Sequence, residues 1–277
     1  MESKKTFISS LRKAGAFLRK DWNVAISYKL QFFSSIAGVL ISTMVFYFLS
    51  NFVGKNLTNS MRPYGGNYFA FVIVGIALTD YLVVSTESFS SAIRSGQVNG
   101  TFEALLTTPT SILTILFSSY LYPFLFTTFR ILTYIFIGVV FCGLQFQVSN
   151  IWLCLLALVM TLLPFWGLGL LSAAFIIVFK QGSPINWILG ISSTLLGGVF
   201  YPVSSLPAWL KPLSLAMPLT FGIEVMRKVL LAEATFRDVQ GNLFILMCFS
   251  ITFLITGIIS VKYSLRQARR EGTLLHY

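Results

Sequence analysis

Long apolar runs separated by short polar segments make up most of this chain. Because a helix that crosses the hydrocarbon core of a membrane needs about 20 mostly apolar residues, these runs predict six spans. The predicted spans are residues 32–53, 67–93, 112–144, 151–179, 185–200 and 243–261. The fifth run is short, and the fourth contains Pro164, where we expect a kink. The pattern therefore predicts an all-α membrane protein with one domain over residues 1–277.

The segment before the first span, residues 1–30, has the pattern of an amphipathic helix. Between Phe7 and Ile26, apolar residues recur with helical spacing while basic residues occupy another face. This spacing is typical of a helix that lies in the headgroup layer of the cytoplasmic leaflet. A soluble helix packed on a partner protein is the alternative, and the two interpretations are compatible.

The segment between the fifth and sixth spans, residues 201–242, is too apolar for a free loop and too rich in proline for one helix. We expect external re-entrant helices that dip into the membrane, since irregular backbone at that depth is tolerated only inside protein or beside a wet cavity. The residues that define this region are Gly197, Gly198, Tyr201, Pro202, Pro207 and Pro218. A purely structural lid is the alternative. The mixed-charge run from Glu224 to Asp238 is expected to be a solvated helix surface.

A shorter segment, residues 94–111, joins the second and third predicted spans. Gly96 and Gly100 are expected to break the second helix, and Thr101 is expected to cap a new helix over residues 102–107. A short helix held between two spans suits the transmission of force from a cytoplasmic partner. An ordinary turn, which is the alternative, would need neither the helix nor the glycines.

Three charged residues, Asp80, Glu87 and Arg130, lie within predicted spans, where charges usually pair or face water. At 1.5 Å per residue, Asp80 lies roughly 20 Å from the outer end of span two, and Arg130 roughly 27 Å from the inner start of span three. Both are therefore near mid-depth, and we predict an ion pair between them. Arg130 facing a pathway alone is the alternative. Glu87 is expected to be a solvated carboxylate near the cytoplasmic interface.

Composition excludes several classes of protein. Hydrophobic residues make up 56% of the 277 residues and charged residues only 10%, whereas a soluble domain carries about 25% charged residues. A soluble enzyme, a disordered protein and a nucleic-acid-binding domain are therefore excluded, despite the net charge of +11. The single histidine is His276, and the three cysteines lack CxxC spacing, so we expect no metal site and no catalytic residues.

The basic residues are distributed unevenly along the chain. Seven of the 20 precede the first span and four follow the last. Six spans place both termini on one side, and the excess of basic residues there predicts that this side is the cytoplasm. Membrane lipid with anionic headgroups, rather than nucleic acid, is the expected partner of these clusters. The first 30 residues show no pattern of a cleavable signal peptide.

Two segments resemble a known family. GTFEALLTTPTS, residues 100–111, resembles the G-T-L-E-x-L-L-x-T-P-x-S motif of the ATP-binding-cassette type-2 (ABC-2) exporter permeases, with phenylalanine in place of the usual first leucine. Residues 196–227 are similar to the second conserved region of that family. The resemblance implies that a coupling helix, Thr101 to Leu106, docks in a cleft of a nucleotide-binding subunit. Its expected polar contact is Glu103, its apolar contacts are Phe102, Leu105 and Leu106, and Gly100 and Pro109 flank it.

The chain has no G-x-x-x-x-G-K-[ST] loop to hold phosphates, so we expect no ATPase site and no cofactor bound by this chain. The resemblance implies that ATP and Mg²⁺ are bound by a separate ATPase subunit. Two such copies would serve a permease homodimer in the bacterial plasma (inner) membrane. The expected cargo is a hydrophobic or amphipathic molecule, a lipid or a glycan, moved outward between spans two and five of the two permeases.

Three other classes compete with this interpretation. An ion-coupled secondary transporter would show inverted repeats and a midplane ion site, and neither is evident in the sequence. A membrane-embedded lipid enzyme would show clustered His, Asp or Glu at one depth. The third competing class is a membrane protein with a purely structural role. A neighbouring gene that encodes an ATPase would separate the exporter from all three.

Overall fold

The structure, a computed structural model, describes residues 2–53, 64, 66–108, 110–148, 150–180 and 184–270, with the backbone alone at residues 2–12, 29, 31–32 and 103. All regular elements in these ranges are helical. They are α1 (Glu2–Ser27), α2 (Lys29–Val53), α3 (Tyr68–Val98), α4 (Phe102–Thr107), α5 (Ile112–Cys142), α6 (Ile151–Phe179), α7 (Pro184–Leu196), a 3₁₀ turn (Val203–Ser205), α8 (Lys211–Leu215), α9 (Pro218–Leu231) and α10 (Phe236–Arg270).

Five of these helices, α2, α3, α5, α6 and α10, are long and apolar enough to cross a membrane. The predicted fifth span, residues 185–200, is instead the 13-residue helix α7. At 1.5 Å per residue α7 is about 20 Å long, which is shorter than the roughly 30 Å hydrocarbon core. It ends because Gly197 and Gly198 follow it, and Gly198 has a φ of +74°, in the left-handed region. The prediction of six full spans is therefore not confirmed.

The core lies along α3 and α6. In the most apolar stretch of each of these two helices 67% of the residues are buried, against 11% for α2, 17% for α5 and 22% for α10. The outer helices expose large apolar side chains such as Phe52, Phe136 and Ile255. A helix surface of this kind is stable in contact with lipid, so the apolar exposure fits a membrane-embedded bundle.

Glycines allow α6 to approach its neighbours closely. A Cβ on Gly167 would lie 2.6 Å from Cβ of Phe253 in α10, and a Cβ on Gly257 would lie 2.8 Å from the Gly167 carbonyl oxygen. A Cβ on Gly169 would overlap the Ser85 carbonyl of α3. Small residues at such crossings let helix backbones approach and pack in a membrane, so α6 is held between α3 and α10.

The bundle has two ends, which we name by the residues located there. The proximal end holds Val98, Ile112 and Phe179, and the distal end holds Tyr68, Cys142 and Ile151. α9 runs from inside the bundle to the distal end. Near its start, Gly222 lies against Thr161 of α6, and near its finish the Leu230 carbonyl accepts a hydrogen bond of 2.9 Å from the Gln147 amide.

The prolines of the segment between α7 and α10 divide it into short elements. Pro202 precedes the 3₁₀ turn, Pro207 accepts a turn hydrogen bond from the Leu210 amide at 3.0 Å, and Pro218 is the first residue of α9. Pro212 lies in the first turn of α8. Proline is tolerated in a first turn because the amide it lacks would have no helical partner there. The prolines thus divide this segment into short helical elements, as their spacing predicts, while its re-entry into the membrane stays a prediction.

Candidate functional site

The segment between α3 and α5 begins where α3 ends at Val98. Gly100 follows with a φ of +65°, a left-handed conformation that glycine adopts without strain. Gly96 does not break the helix as expected, since α3 continues past it, and a Cβ there would lie 3.4 Å from Phe102. Thr101 precedes α4, but its hydroxyl donates to the Gly96 carbonyl at 3.5 Å instead of capping α4. The chain is thus folded back on the last turn of α3.

Phe102 anchors α4 to the bundle. Its side chain is 3% exposed and packs in a cluster with residues of α3, α5, α6 and α10. We call this the proximal cluster; it includes Phe89, Ile93, Leu116, Tyr120, Ile177 and Val261. Phe102, an expected apolar contact of the partner subunit, thus has its aromatic ring directed into the bundle.

The other coupling residues divide between the bundle and the surface. Leu106 is half-buried and packs against the proximal cluster, and Leu105 is half-buried beside α1. Thr101, Ala104 and Thr107 are exposed. The side chain of Glu103 and the whole of Pro109 lie outside the described residues. The Lys13 ammonium of α1 donates to the Thr110 hydroxyl at 2.9 Å, which ties α1 to this segment.

The ion pair predicted inside the membrane is present. Nη2 of Arg130 in α5 lies 2.9 Å from Oδ2 of Asp80 in α3, and the two side chains are 28% and 23% exposed. Two hydroxyl contacts extend the α3–α5 interface toward the proximal end: Tyr81 with Thr128 at 3.0 Å, and Ser85 with Tyr120 at 3.2 Å. Glu87 is exposed on α3.

A polar contact that sequence reasoning missed joins α3, α6 and α7. The Asn186 amide group donates to the Ser90 hydroxyl at 2.8 Å and to the Thr86 carbonyl at 3.3 Å, and it accepts from the Ser172 hydroxyl. Asn186 is the asparagine near the start of the fifth apolar run. An asparagine in such a run is a signal for an interhelical hydrogen bond.

Arg227 of α9 is a second residue that sequence reasoning missed. It was grouped with a solvated charge run, but it is 2% exposed. Its guanidinium donates to the Phe71 carbonyl at 3.0 Å, to the Gly198 carbonyl at 2.7 Å and to the Val199 carbonyl at 2.7 Å. It also lies 3.2 Å from the centre of the Phe71 ring, a cation–π contact.

These contacts join the end of α7 to the first turn of α3. A Cβ on Gly75 would lie 2.8 Å from the Val199 carbonyl and 2.9 Å from Nη2 of Arg227, so a glycine is needed at this position of α3. We call this arrangement the Arg227 clamp: Arg227 with the carbonyls of Phe71, Gly198 and Val199.

A second set of polar contacts, from Tyr64 to Glu224 and Lys228 of α9, lies beside the clamp. The Tyr64 hydroxyl donates to Oε2 of Glu224 at 2.6 Å, and Oε1 of Glu224 lies 3.1 Å from the Lys228 ammonium. Burial, followed by the hydrogen bond to Glu224, raises the pKa of Tyr64. The Tyr201 hydroxyl donates to the Leu195 carbonyl in the last turn of α7. The distal end is therefore held by hydrogen bonds from side chains rather than by continuous helix.

Within the described residues, no group of three or more His, Cys, Asp or Glu side chains could hold a metal ion. Cys142, Cys154 and Cys248 are unbridged. The features described above are thus a proximal segment with exposed residues on α4 and three polar contacts that join helices: the Asp80–Arg130 pair, the Asn186 hydrogen bonds and the Arg227 clamp.

The comparison with known families gives one result. The family model described as ABC-2 type transporter matches residues 15–231, from within α1 to the end of α9. The chain belongs to the ABC-2 transporter family. The resemblance drawn from residues 100–111 and 196–227 is thereby confirmed. A permease of this family is a transmembrane subunit that generally pairs with an ATP-binding subunit. No curated protein matches the chain.

We predict that Asp80→Ala destabilises this ABC-2 permease by about 2 kcal/mol, between the values typical of exposed and buried pairs, because it leaves the Arg130 guanidinium unpaired. The double variant Asp80→Ala/Arg130→Ala should recover part of the loss. Thermal unfolding in detergent measures both, and Glu87→Ala, which removes an exposed carboxylate from the same helix, is the matched control. If the destabilisation of the double variant equals the sum of the losses in Asp80→Ala and Arg130→Ala, the two side chains do not form a stabilising ion pair.

The Arg227 clamp makes a second prediction. Arg227→Met should destabilise the permease by about 3 kcal/mol or more, since it leaves the Gly198 and Val199 carbonyls without their donor and each buried unsatisfied group costs about 1–3 kcal/mol. Arg227→Lys should recover little, because one ammonium lacks the planar fork that reaches separate acceptors. Arg237→Met, at an exposed position of α10, is the control. Equal midpoints of thermal unfolding for the variants at 227 and 237 would contradict the clamp.

Proposed function

We propose that this chain is the permease subunit of an ATP-driven exporter, in which a separate ATPase subunit docks on α4 and drives outward transport. The observation that carries the proposal is the position of α4, which is anchored to the bundle by Phe102 and has Ala104 and Thr107 exposed. The anchor and the exposed residues lie on one six-residue helix. A partner that moves α4 therefore moves the proximal ends of the helices behind it.

The packing of the proximal cluster supports this transmission. The Phe102 ring belongs to a cluster built from side chains of α3, α5, α6 and α10, so a displacement of α4 is passed to these helices through the cluster. Packed interiors resist compression and transmit displacement. The α1 helix is linked to the same segment through Lys13 and Thr110 and would flank the docking site.

In this proposal the proximal end lies in the cytoplasm, with both termini, and the membrane is the bacterial plasma membrane. The helix α7 and the segment up to α9 together take the place of a full sixth span. α7 begins near Ser90 and ends near Gly75 of α3, so it runs toward the distal end. The Arg227 clamp then holds the turn where the chain leaves α7. The high number of basic residues near the two termini supports this orientation.

We further propose that two copies assemble and that cargo passes between them, along α3 and α7. The exposed surface of α7 carries Trp187, Ile188, Ile191 and Leu195. On α3 the exposed residues include Glu87 and Ser91. Apolar and polar positions together suit a hydrophobic or amphipathic molecule, a lipid or a glycan. ATP and Mg²⁺ would be held by two copies of the ATPase subunit, because this chain lacks a phosphate-binding loop.

The test is co-purification of the permease with the candidate ATPase encoded by a neighbouring gene, followed by ATPase assays in reconstituted membrane. Glu103→Arg reverses the charge that the family resemblance assigns to the docking helix. We expect this variant to lose association, or to retain association with a several-fold lower turnover, since a like or unpaired charge at a protein interface is costly.

The matched control is Glu233→Arg, an equal charge reversal at an exposed position between α9 and α10, on the distal side. We expect the control to associate and turn over like the wild type. If Glu103→Arg also behaves like the wild type, the docking assignment is wrong. If no ATPase associates with the wild type, an ion-coupled transporter becomes the better interpretation.

A further inference from the structure

A cavity of about 490 Å³ lies at the proximal end between α1, α3, α4 and α5. Its wall combines apolar and polar side chains, and the polar ones include Ser91, Ser95 and Asn99 at the end of α3, Thr101 before α4, and Lys20 on α1. Such a wall offers hydrogen-bond donors and acceptors to a small polar group. The wall is also shared with the coupling segment, through Thr101.

A second space of about 550 Å³ runs between α1 and α5 and is almost entirely apolar. Its lining includes Leu18, Trp22, Leu125 and Phe129. Tyr122 and Phe126 line both spaces, so the polar cavity and the apolar groove meet along one side of α5. A polar chamber that joins an apolar groove has the shape and chemistry of a lipid site, with a headgroup at one end and an acyl chain at the other.

The charges around this site favour an anionic headgroup. Arg19 lines the groove, Lys20 lines the cavity, and both are exposed. Lys13 lies on the same helix, with its ammonium on Thr110. The acidic residue at the site, Asp21, lies 3.2 Å from the Lys20 ammonium and neutralises one cation. The excess is positive, and a basic residue near a membrane surface attracts anionic lipid by about 1 kcal/mol, or about fivefold in affinity.

We propose that these two spaces form one binding site for an anionic phospholipid of the cytoplasmic leaflet, which fills the seam between α1 and α5. The headgroup occupies the polar cavity near Lys20 and Thr101, and an acyl chain follows the groove past Trp22. The choice of leaflet rests on the proposed function, which places the proximal end in the cytoplasm. The bound lipid contacts the coupling segment directly and so joins the amphipathic helix to the docking region.

The experiment uses the natural reporter in the groove, Trp22, whose ring meets Tyr122 edge to face with centroids 6.3 Å apart. The purified full-length permease, without any ATPase, is reconstituted in phosphatidylcholine vesicles that contain a small share of brominated lipid. The brominated lipid is either phosphatidylglycerol or phosphatidylcholine. The difference between wild type and Trp22→Phe isolates the quenching of Trp22 from that of the other four tryptophans. We expect Trp22 to be quenched preferentially by brominated phosphatidylglycerol.

The double variant Arg19→Ala/Lys20→Ala should reduce this preference by at least fivefold, while the remaining tryptophans respond as before. The matched control is Lys262→Ala/Arg266→Ala, which removes the same charge from exposed positions near the proximal end of α10 and should leave the preference unchanged. Equal quenching of Trp22 by the two brominated lipids would overturn the proposal. An equal loss of the preference for brominated phosphatidylglycerol in both double variants would also overturn the proposal. Such a loss would show that the lipid is attracted by the total surface charge and not by a site at Arg19 and Lys20. Since no ATPase is used, a failure of ATPase docking leaves this result intact.

Discussion

The structure depends on how the chain satisfies backbone carbonyls where α7 stops inside the bundle. In a water-poor interior every carbonyl left without its helical partner needs another donor, and each that lacks one costs several kcal/mol. The Arg227 guanidinium supplies two of these hydrogen bonds, to the carbonyls of Gly198 and Val199, and it also donates to the Phe71 carbonyl in the first turn of α3. This side chain, together with the buried Val199, fixes the turn after α7 against α3. The short helix and the proline-divided segment that follows it are possible because the clamp holds their start.

The bundle connects this fixed distal end with a proximal end that is open to a partner. The α6 helix, closely packed through Gly167 and Gly169, runs the length between them. The Asp80–Arg130 pair joins α3 and α5 near the middle, and Phe102 joins α4 to the proximal ends of four helices. Under the proposed function, the proximal segment is the place where the ATPase subunit acts on this bundle. This division agrees with membership of the ABC-2 transporter family.

The sequence allowed accurate prediction where the length of an apolar run or a count of residues decides the structure, but the local rules for Gly96 as a helix breaker and Thr101 as a helix cap failed. The length of apolar runs identified the long helices, and counting residues along antiparallel spans brought Asp80 and Arg130 to the same depth. The motif at residues 100–111 identified the family. The clamp could not be predicted, because its acceptors come from residues 71, 198 and 199, far from Arg227 in sequence. The direction of Phe102 was also missed, because a six-residue helix is too short for its periodicity to define a buried face. The prediction of a full fifth span was not confirmed, because the apolar composition of residues 185–200 does not show that the helix ends before Gly197 and Gly198.

The most direct test of the central claim, that a separate ATPase docks on α4, is photo-crosslinking from a single introduced position. A photoreactive phenylalanine analogue at Ala104, which is exposed on α4, is compared with the same analogue at Ala232, which is exposed at the end of α9. The account predicts an adduct with the mass of permease plus ATPase from position 104, sensitive to bound nucleotide, and none from position 232. Adducts from neither position, or equally from both, in a complex that has been shown to hydrolyse ATP would contradict it.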